Sequence, residues 1–154
     1  MSSSPGTEPL VLTEAQQKLV ILTVPGRPQA KERPRFDSRT GRVYTDQRTQ
    51  SAEAILQGFM REVCWKPLEG PLELGVTFCF HRPNSWSKAK REAVDDGDEE
   101  PWYTGKPDVD NLIKTVMDAA KLILWKDDAQ VVSVSAYKVY SAESQTVINV
   151  FPAR

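Results

Sequence analysis

Histidine and cysteine are almost missing from this chain of 154 residues, which holds one of the former, His81, and two of the latter, Cys64 and Cys79. A lone imidazole makes HNH-type, Ser-His-Asp and His-zinc chemistry hard to assemble. His81 closes an apolar stretch, where a polar strand-end residue is the simpler expectation. Two cysteines without CxxC spacing are too few for a disulfide framework and read as packed free thiols. No apolar run approaches the length of a membrane span. The opening MSSSPGTEPLVLTEAQQ lacks a basic region followed by an apolar one, so it does not read as a secretory signal. Residues 1–17 are therefore expected to be a flexible tail before one domain, 18–154, in a cytoplasmic protein with no membrane partner. If the chain is an enzyme, carboxylates, lysine and a metal ion must carry its chemistry.

A marked excess of either charge is also lacking, since the net charge is −1. The distribution is less even than the total. Segment 27–48, RPQAKERPRFDSRTGRVYTDQR, holds seven Lys/Arg against three acids, whereas 92–100, EAVDDGDEE, holds six acids and no base.

What is present reads as alternating strands and helices. KLVILTV (18–24) is a strand closed by Pro25-Gly26, and RVYT after Gly41 is a short extended piece. From Gln47 to Trp65, apolar residues Ala52, Ile55, Leu56, Phe59, Met60 and Val63 mark one helical face. PLELGVTFCF (71–80) alternates as a strand. Residues 82–105 have no apolar period and read as a long connection, disordered or functional. A second helix is predicted over 109–124, and VVSVSAYKVY (131–140) and TVINVF (146–151) read as strands joined in a hairpin through SAES. The expected fold is α+β: one mixed sheet with two principal helices, in the order β-α-β-α-β-β.

The chemistry concentrates in KPDVDNLIKTVMDAAKLILWKDDAQV, residues 106–131. Asp108 stands where a helix N-cap belongs, and Asp110 lies in the first turn, where the helix dipole favours an anion. Caps and solvated surface would account for both. Yet two carboxylates two residues apart also suit a hard cation such as Mg²⁺ or Mn²⁺. Lys114 lies one turn further along the same face, able to pair with Asp110 or to neutralise a phosphate. Asp127 and Asp128 follow Trp125 at the helix exit. Carboxylates, a divalent cation and a lysine are a minimal kit for hydrolysing a phosphodiester.

PDVDNLIK followed by WKDDAQV closely resembles the RusA-type Holliday junction resolvases, or crossover junction endodeoxyribonucleases. VPGRPQAKERPRF is similar to that family's opening strand and basic segment, so the likeness runs from about residue 18 to the C-terminus. The insertion 82–105 and the tail match no family pattern. The resemblance implies that Asp108, Asp110 and Asp128 are metal ligands and catalytic, that Lys114 is the catalytic or phosphate-contacting lysine, and that Asp127 is supporting. It further implies a homodimer, a requirement for Mg²⁺ or Mn²⁺, and paired symmetric nicks in a four-way DNA junction.

A helix of about 15 residues is roughly 22 Å long, which separates Asp110 from Asp128 within one chain. Antiparallel helices about a two-fold axis would place one subunit's entry beside the other's exit, so each metal site is expected to be completed across the dimer. Lys31, Arg33, Arg35, Arg39 and Arg42 are candidates for DNA phosphate contacts, which position a duplex without reading its sequence. Lys88, Lys90 and Arg91 are weaker ones. Trp102 and Tyr103 are expected to pack in the core rather than stack on bases, and Trp125 to pack at the helix end and orient the acids after it. The acidic run is expected to be a mobile insertion held away from the DNA. Three other readings compete: an Asp-x-Asp glycosyltransferase holding a nucleotide-sugar through Mn²⁺, a non-catalytic DNA-binding module, and a metal nuclease for other branched DNA.

Overall fold

The computed structural model describes residues 19–30, 35–44 and 47–154; the tail 1–17 lies outside this range. Among the described residues, six strands and three α-helices follow in the order β1 (Val20–Pro25), β2 (Arg35–Asp37), β3 (Arg42–Tyr44), α1 (Gln47–Val63), β4 (Leu72–His81), α2 (Lys88–Asp95), α3 (Val109–Ala120), β5 (Val131–Ser141) and β6 (Gln145–Pro152). The main sheet is mixed, ordered β1-β6-β4-β5, with β4 parallel to β5 and antiparallel to β6. Strands β2 and β3 form a separate antiparallel ribbon.

Period-two alternation turns Val20, Leu22 and Val24 of β1, Leu72 to Phe80 of β4, and Ile148 and Val150 of β6 onto one buried face. Helices α1 and α3 cover that face with Leu56, Met60, Leu112, Val116, Ala119 and Ala120. Burying each of the larger side chains, Leu56, Met60, Leu112 and Val116, contributes about 1.5–3 kcal/mol, so this layer holds α3 on the sheet. Cys64 and Cys79 are both free and buried, as expected.

Four expectations need correction. The strands 131–140 and 146–151 are not a hairpin, because β4 lies between them. The connection from β5 crosses the end of β4, where Arg82 N–H donates to the Ser141 carbonyl and His81 N–H to Ser144 Oγ. Neighbouring runs with a polar turn look like a hairpin, but β4 is buried on its second face too, at Cys79, and takes the central place. Second, the helix over 109–124 stops at Ala120. Leu122 adopts φ +71°, and Ile123, Leu124 and Trp125 stay buried in a turn, so the apolar period outlasts the helix.

Third, the connection 82–105 is structured and docked: Ser87 caps α2 by accepting from Lys90 N–H, and Trp86 meets Tyr140 edge-on at 4.7 Å. Fourth, within the acidic run, Asp95 pairs with Arg82, and Glu92 lies 3.8 Å from Lys88. Only the start of the run is therefore tied down, through Asp95 and the buried Val94, while residues 96–100 stay exposed. Alternating charges and only Val94 buried in α2 gave no apolar stripe from which to read it.

Candidate active site

The mouth of α3 gathers the first group of predicted residues. Asp108 occupies the N-cap position with extended backbone, and its carbonyl accepts from Leu112 N–H. Its side chain makes no capping bond, contrary to the cap reading. It is taken instead by Lys106, whose Nζ lies 2.9 Å from Asp108 Oδ1. That hydrogen bond, then the Lys106 charge, holds the Asp108 carboxyl below its ordinary range, and Lys138 adds a smaller pull. Asp108 raises Lys106 in return. Asp110 and Lys114 are exposed one turn apart, and Asp110 sits in the first turn, where aligned peptide dipoles favour negative charge.

Beyond the other end of α3, a short turn fixes the second group. Asp127 caps a single 3₁₀ turn, Asp128–Gln130, by accepting from Ala129 N–H, while Gln130 Oε1 accepts from the backbone of Lys126 and Asp127. Gln130 Nε2 donates to the Leu68 and Gly70 carbonyls, anchoring the turn to the approach of β4. Asp127 is thus a structural cap. Asp128 has a different constraint: the indole N–H of fully buried Trp125 donates to its Oδ1 at 2.8 Å. The expectation that Trp125 orients the acids holds for Asp128, whereas Asp127 is set by its own turn.

The loop before Asp108 is held by residues that the sequence did not single out. Lys138, on β5, donates Nζ to the carbonyls of Gly105 and Pro107 at 2.6 and 2.8 Å. Tyr103 stacks on buried Phe80 with ring centroids 4.0 Å apart and donates its hydroxyl to the Lys106 carbonyl. Arg27 donates to that same hydroxyl and lies over Phe80. Glycine is required at 105, because a Cβ there would meet the Tyr103 hydroxyl at 2.8 Å. Tyr103 packs as expected, but Trp102 is 48% exposed and stacks on Tyr137. Only the unremarkable position of Lys138 in an alternating strand hinted at it.

Of the basic candidates, Lys31 and Arg33 lie outside the described residues, and for Arg35 only the backbone, in β2, is described. Arg39 and Arg42 are exposed on the β2–β3 ribbon, where Asp37 accepts from Arg39 N–H and lies 3.6 Å from its Nε. Phe36 and Val43 of that ribbon are exposed as well.

Asp108 and Asp110 fit a hard divalent cation that keeps several waters, as Mg²⁺ does when one or two carboxylates hold it. One chain does not bring the third acid to them. Among the described residues, no group of three or more His, Cys, Asp or Glu side chains forms a metal-binding cluster. The 12-residue helix between Asp108 and the exit turn is about 18 Å long. No described helix is long and apolar enough to cross a membrane.

Two comparisons bear on this arrangement. A family model described as endodeoxyribonuclease RusA matches residues 25–151. The chain is also 34% identical over 136 residues to a Bacillus subtilis (strain 168) protein named "Uncharacterized protein YqaN", an overlap of 84% of this chain and 93% of that one. The matched span begins at Pro25, the last residue of β1, and takes in both helices on the sheet, the mouth of α3 and the Trp125–Asp128 turn. With its acidic motif seated at the mouth of a helix on a mixed sheet, the chain belongs to the RusA endodeoxyribonuclease family.

Proposed function

We propose that the protein is a Mg²⁺- or Mn²⁺-dependent endodeoxyribonuclease that acts as a homodimer and resolves four-way DNA junctions, in recombination and repair, by paired symmetric nicks. The observation that carries this reading is the exposed Asp108, Asp110 and Lys114 surface at the mouth of α3, inside a span matched by the endonuclease family. Asp108 and Asp110 are the residues that would hold the metal in one chain, with Asp128 as the third ligand. When bound, such an ion polarises a phosphoryl oxygen and makes water a competent nucleophile at neutral pH.

The chain's own groups do the rest. Lys106 holds the Asp108 carboxyl below its ordinary range, which favours the ionised form. Lys114 lies where it can neutralise charge developing on the phosphate. Arg39 and Arg42, on an exposed ribbon, suit contacts with junction backbone, with Lys31, Arg33 and Arg35 of the same basic segment as further contacts. Each metal site is completed across the dimer, since Asp128 stands beyond the far end of α3 from Asp108 and Asp110.

The test is cleavage of a labelled synthetic four-way junction with Mg²⁺, against linear duplex and the Asp110→Asn variant. Symmetric nicks lost in the variant are expected. Equal cutting of flaps or forks would move the assignment to other branched DNA. Binding without metal-dependent cutting would leave a DNA-binding module.

A further inference from the structure

The β2–β3 ribbon carries an apolar pair that stands outside the core. Phe36 and Val43 lie directly opposite each other in its ladder, so their side chains share one face, and they are 66% and 67% exposed. Asp37 and Arg42, the next opposed pair, fall on the other face. The ladder is separate from the main sheet. Its tip is tightly built: Gly41 N–H donates to the Asp37 carbonyl at 2.8 Å, Arg39 N–H to Asp37 Oδ1, and Arg42 N–H to Thr40 Oγ1. Gly41 has φ +69°, a conformation that glycine adopts freely. The ribbon thus holds a phenyl ring in solvent on a firm support, with the exposed Arg39 and Arg42 close by.

Size and charge decide what such a pair fits. A stable protein interface takes about 800 Å² from each partner. An aromatic side chain buries only about 150–250 Å², so Phe36 with Val43 falls well short of that. One ring is nevertheless enough to enter a single step of stacked bases, as apolar wedges do in kinked DNA. The charge agrees, because segment 27–48 holds seven Lys/Arg against three acids, which suits phosphates on either side of the ring. Position agrees as well. The guanidinium of Arg27, where this segment begins, donates to the Tyr103 hydroxyl, and that hydroxyl donates to the Lys106 carbonyl just before Asp108. Ala30 packs against the core. From Ala30 the chain reaches Phe36 over at most about 22 Å, which is about six base steps at 3.4 Å each. The ring is therefore kept within a few base steps of the segment that borders the proposed metal site.

We infer that Phe36, backed by Val43, is an apolar wedge that enters the base stack at the branch point of the DNA substrate. The inference rests on the branched-DNA reading above and specifies what tells a branch from a linear duplex. Opening a stacked step in a linear duplex has a cost that the ring must offset. At a branch point the strands pass from one arm to another and stacking is already interrupted, so the same ring enters at less cost. Phosphate contacts from Arg39 and Arg42 are common to both DNAs and carry no such preference. The arginines supply affinity, and the wedge supplies selectivity.

The test is binding of the full chain, without added metal, to a synthetic four-way junction with 2-aminopurine at the branch point. Emission from this base rises when it is unstacked. The wild type is expected to raise it at the junction and not in a linear duplex of the same sequence. Phe36→Ala is expected to abolish the rise and to weaken junction binding about 10-fold, the scale of one base stacked on an aromatic ring, with duplex affinity unchanged. Phe36→Trp is expected to keep the rise. Val43→Ala is expected to lose part of it, and is the deciding variant if circular dichroism shows Phe36→Ala to be unfolded.

A wild type that binds the junction without a rise overturns the inference. So does a full rise in the folded alanine variant, or an equal loss of affinity on junction and duplex. A change of oligomeric state in Phe36→Ala, seen by sedimentation, would make the pair a contact between copies and overturns the wedge as well. A wild type that unstacks the probe but cuts nothing with Mg²⁺ supports the wedge and overturns the nuclease reading. One that cuts the junction while Phe36→Ala behaves identically overturns the wedge alone.

Discussion

The ammonium of Lys138 lies 2.6 Å from the carbonyl oxygen of Gly105, across 33 residues of sequence. With the Pro107 carbonyl at 2.8 Å, it ties strand β5 to the loop that delivers Asp108. The bond is charge-assisted, and the loop has few other anchors: the Tyr103 hydroxyl on Lys106 O and the helix that follows.

Replacing Lys138 by Met leaves both carbonyls without this partner. The expected loss is about 1–3 kcal/mol of stability. If the loop positions a metal ligand, junction cleavage falls by about 10–100-fold, as for other residues that orient ligands from behind. Lys138→Arg keeps the charge and is expected to recover part of the activity. Urea unfolding and single-turnover cleavage, with the Mg²⁺ dependence of each variant, separate loss of fold from loss of positioning.

Leu122 carries the strain in the exit turn. Its φ of +71° is left-handed, and its side chain is 70% exposed, so little packing opposes a change. A non-glycine residue in this region costs about 1–2 kcal/mol, and glycine gives back about 0.4–1 kcal/mol through the freedom of the unfolded chain. Leu122→Gly is therefore expected to stabilise the protein by about 0.5–1 kcal/mol. A lower urea midpoint than wild type would refute that balance.

The contrast between Leu122 and its neighbours shows what the sequence could convey. Alternation in β1, β4 and β6 and the spacing of α1 reflect burial on one face, which periodicity reports directly, so the mixed sheet and its two covering helices were legible. Ile123 and Leu124 keep the period because they are buried, while the chain leaves the helix at Lys121. Burial and helicity part company there, and periodicity sees only the first. Strand order is a relation between distant segments, hence the false hairpin. At the site, residue types marked Asp108, Asp110 and Asp128. The tether from Lys138 and the packing of Tyr103 on Phe80 depend on the tertiary fold, and no local pattern encodes them.

The two thiols give a prediction about pH. Burial pushes Cys64 and Cys79 above the ordinary thiol pKa, outweighing hydrogen bonds that favour the thiolate. Each group is thus more acidic in the unfolded chain than in the fold. The stability it contributes is complete below the unfolded pKa and is lost as pH rises through the folded one. Iodoacetamide at about pH 8.5, near the free thiol value, is expected to alkylate both far more slowly in the native protein than in urea. Equal native and unfolded rates, followed by mass spectrometry, would contradict the burial.

Trp125 and Asp128 provide the most direct link between packing and the proposed chemistry. The indole is fully buried and its N–H reaches Asp128 Oδ1 at 2.8 Å, so the core itself aims this carboxylate. Trp125→Phe keeps an aromatic ring and deletes the donor. The smaller ring leaves a gap and the carboxylate loses a charge-assisted bond; together these are expected to cost about 2–4 kcal/mol. Stability alone does not distinguish a core residue from one that positions a ligand. The Mg²⁺ dependence does: if Asp128 is a ligand oriented by Trp125, half-maximal cleavage requires about 10–100-fold more Mg²⁺, and saturating metal restores much of the rate. Asp128→Asn should keep the indole bond through its amide oxygen, preserve most of the stability, and lose cleavage at every metal concentration. A Trp125→Phe protein with wild-type metal dependence and only a lower unfolding midpoint would confine Trp125 to the core.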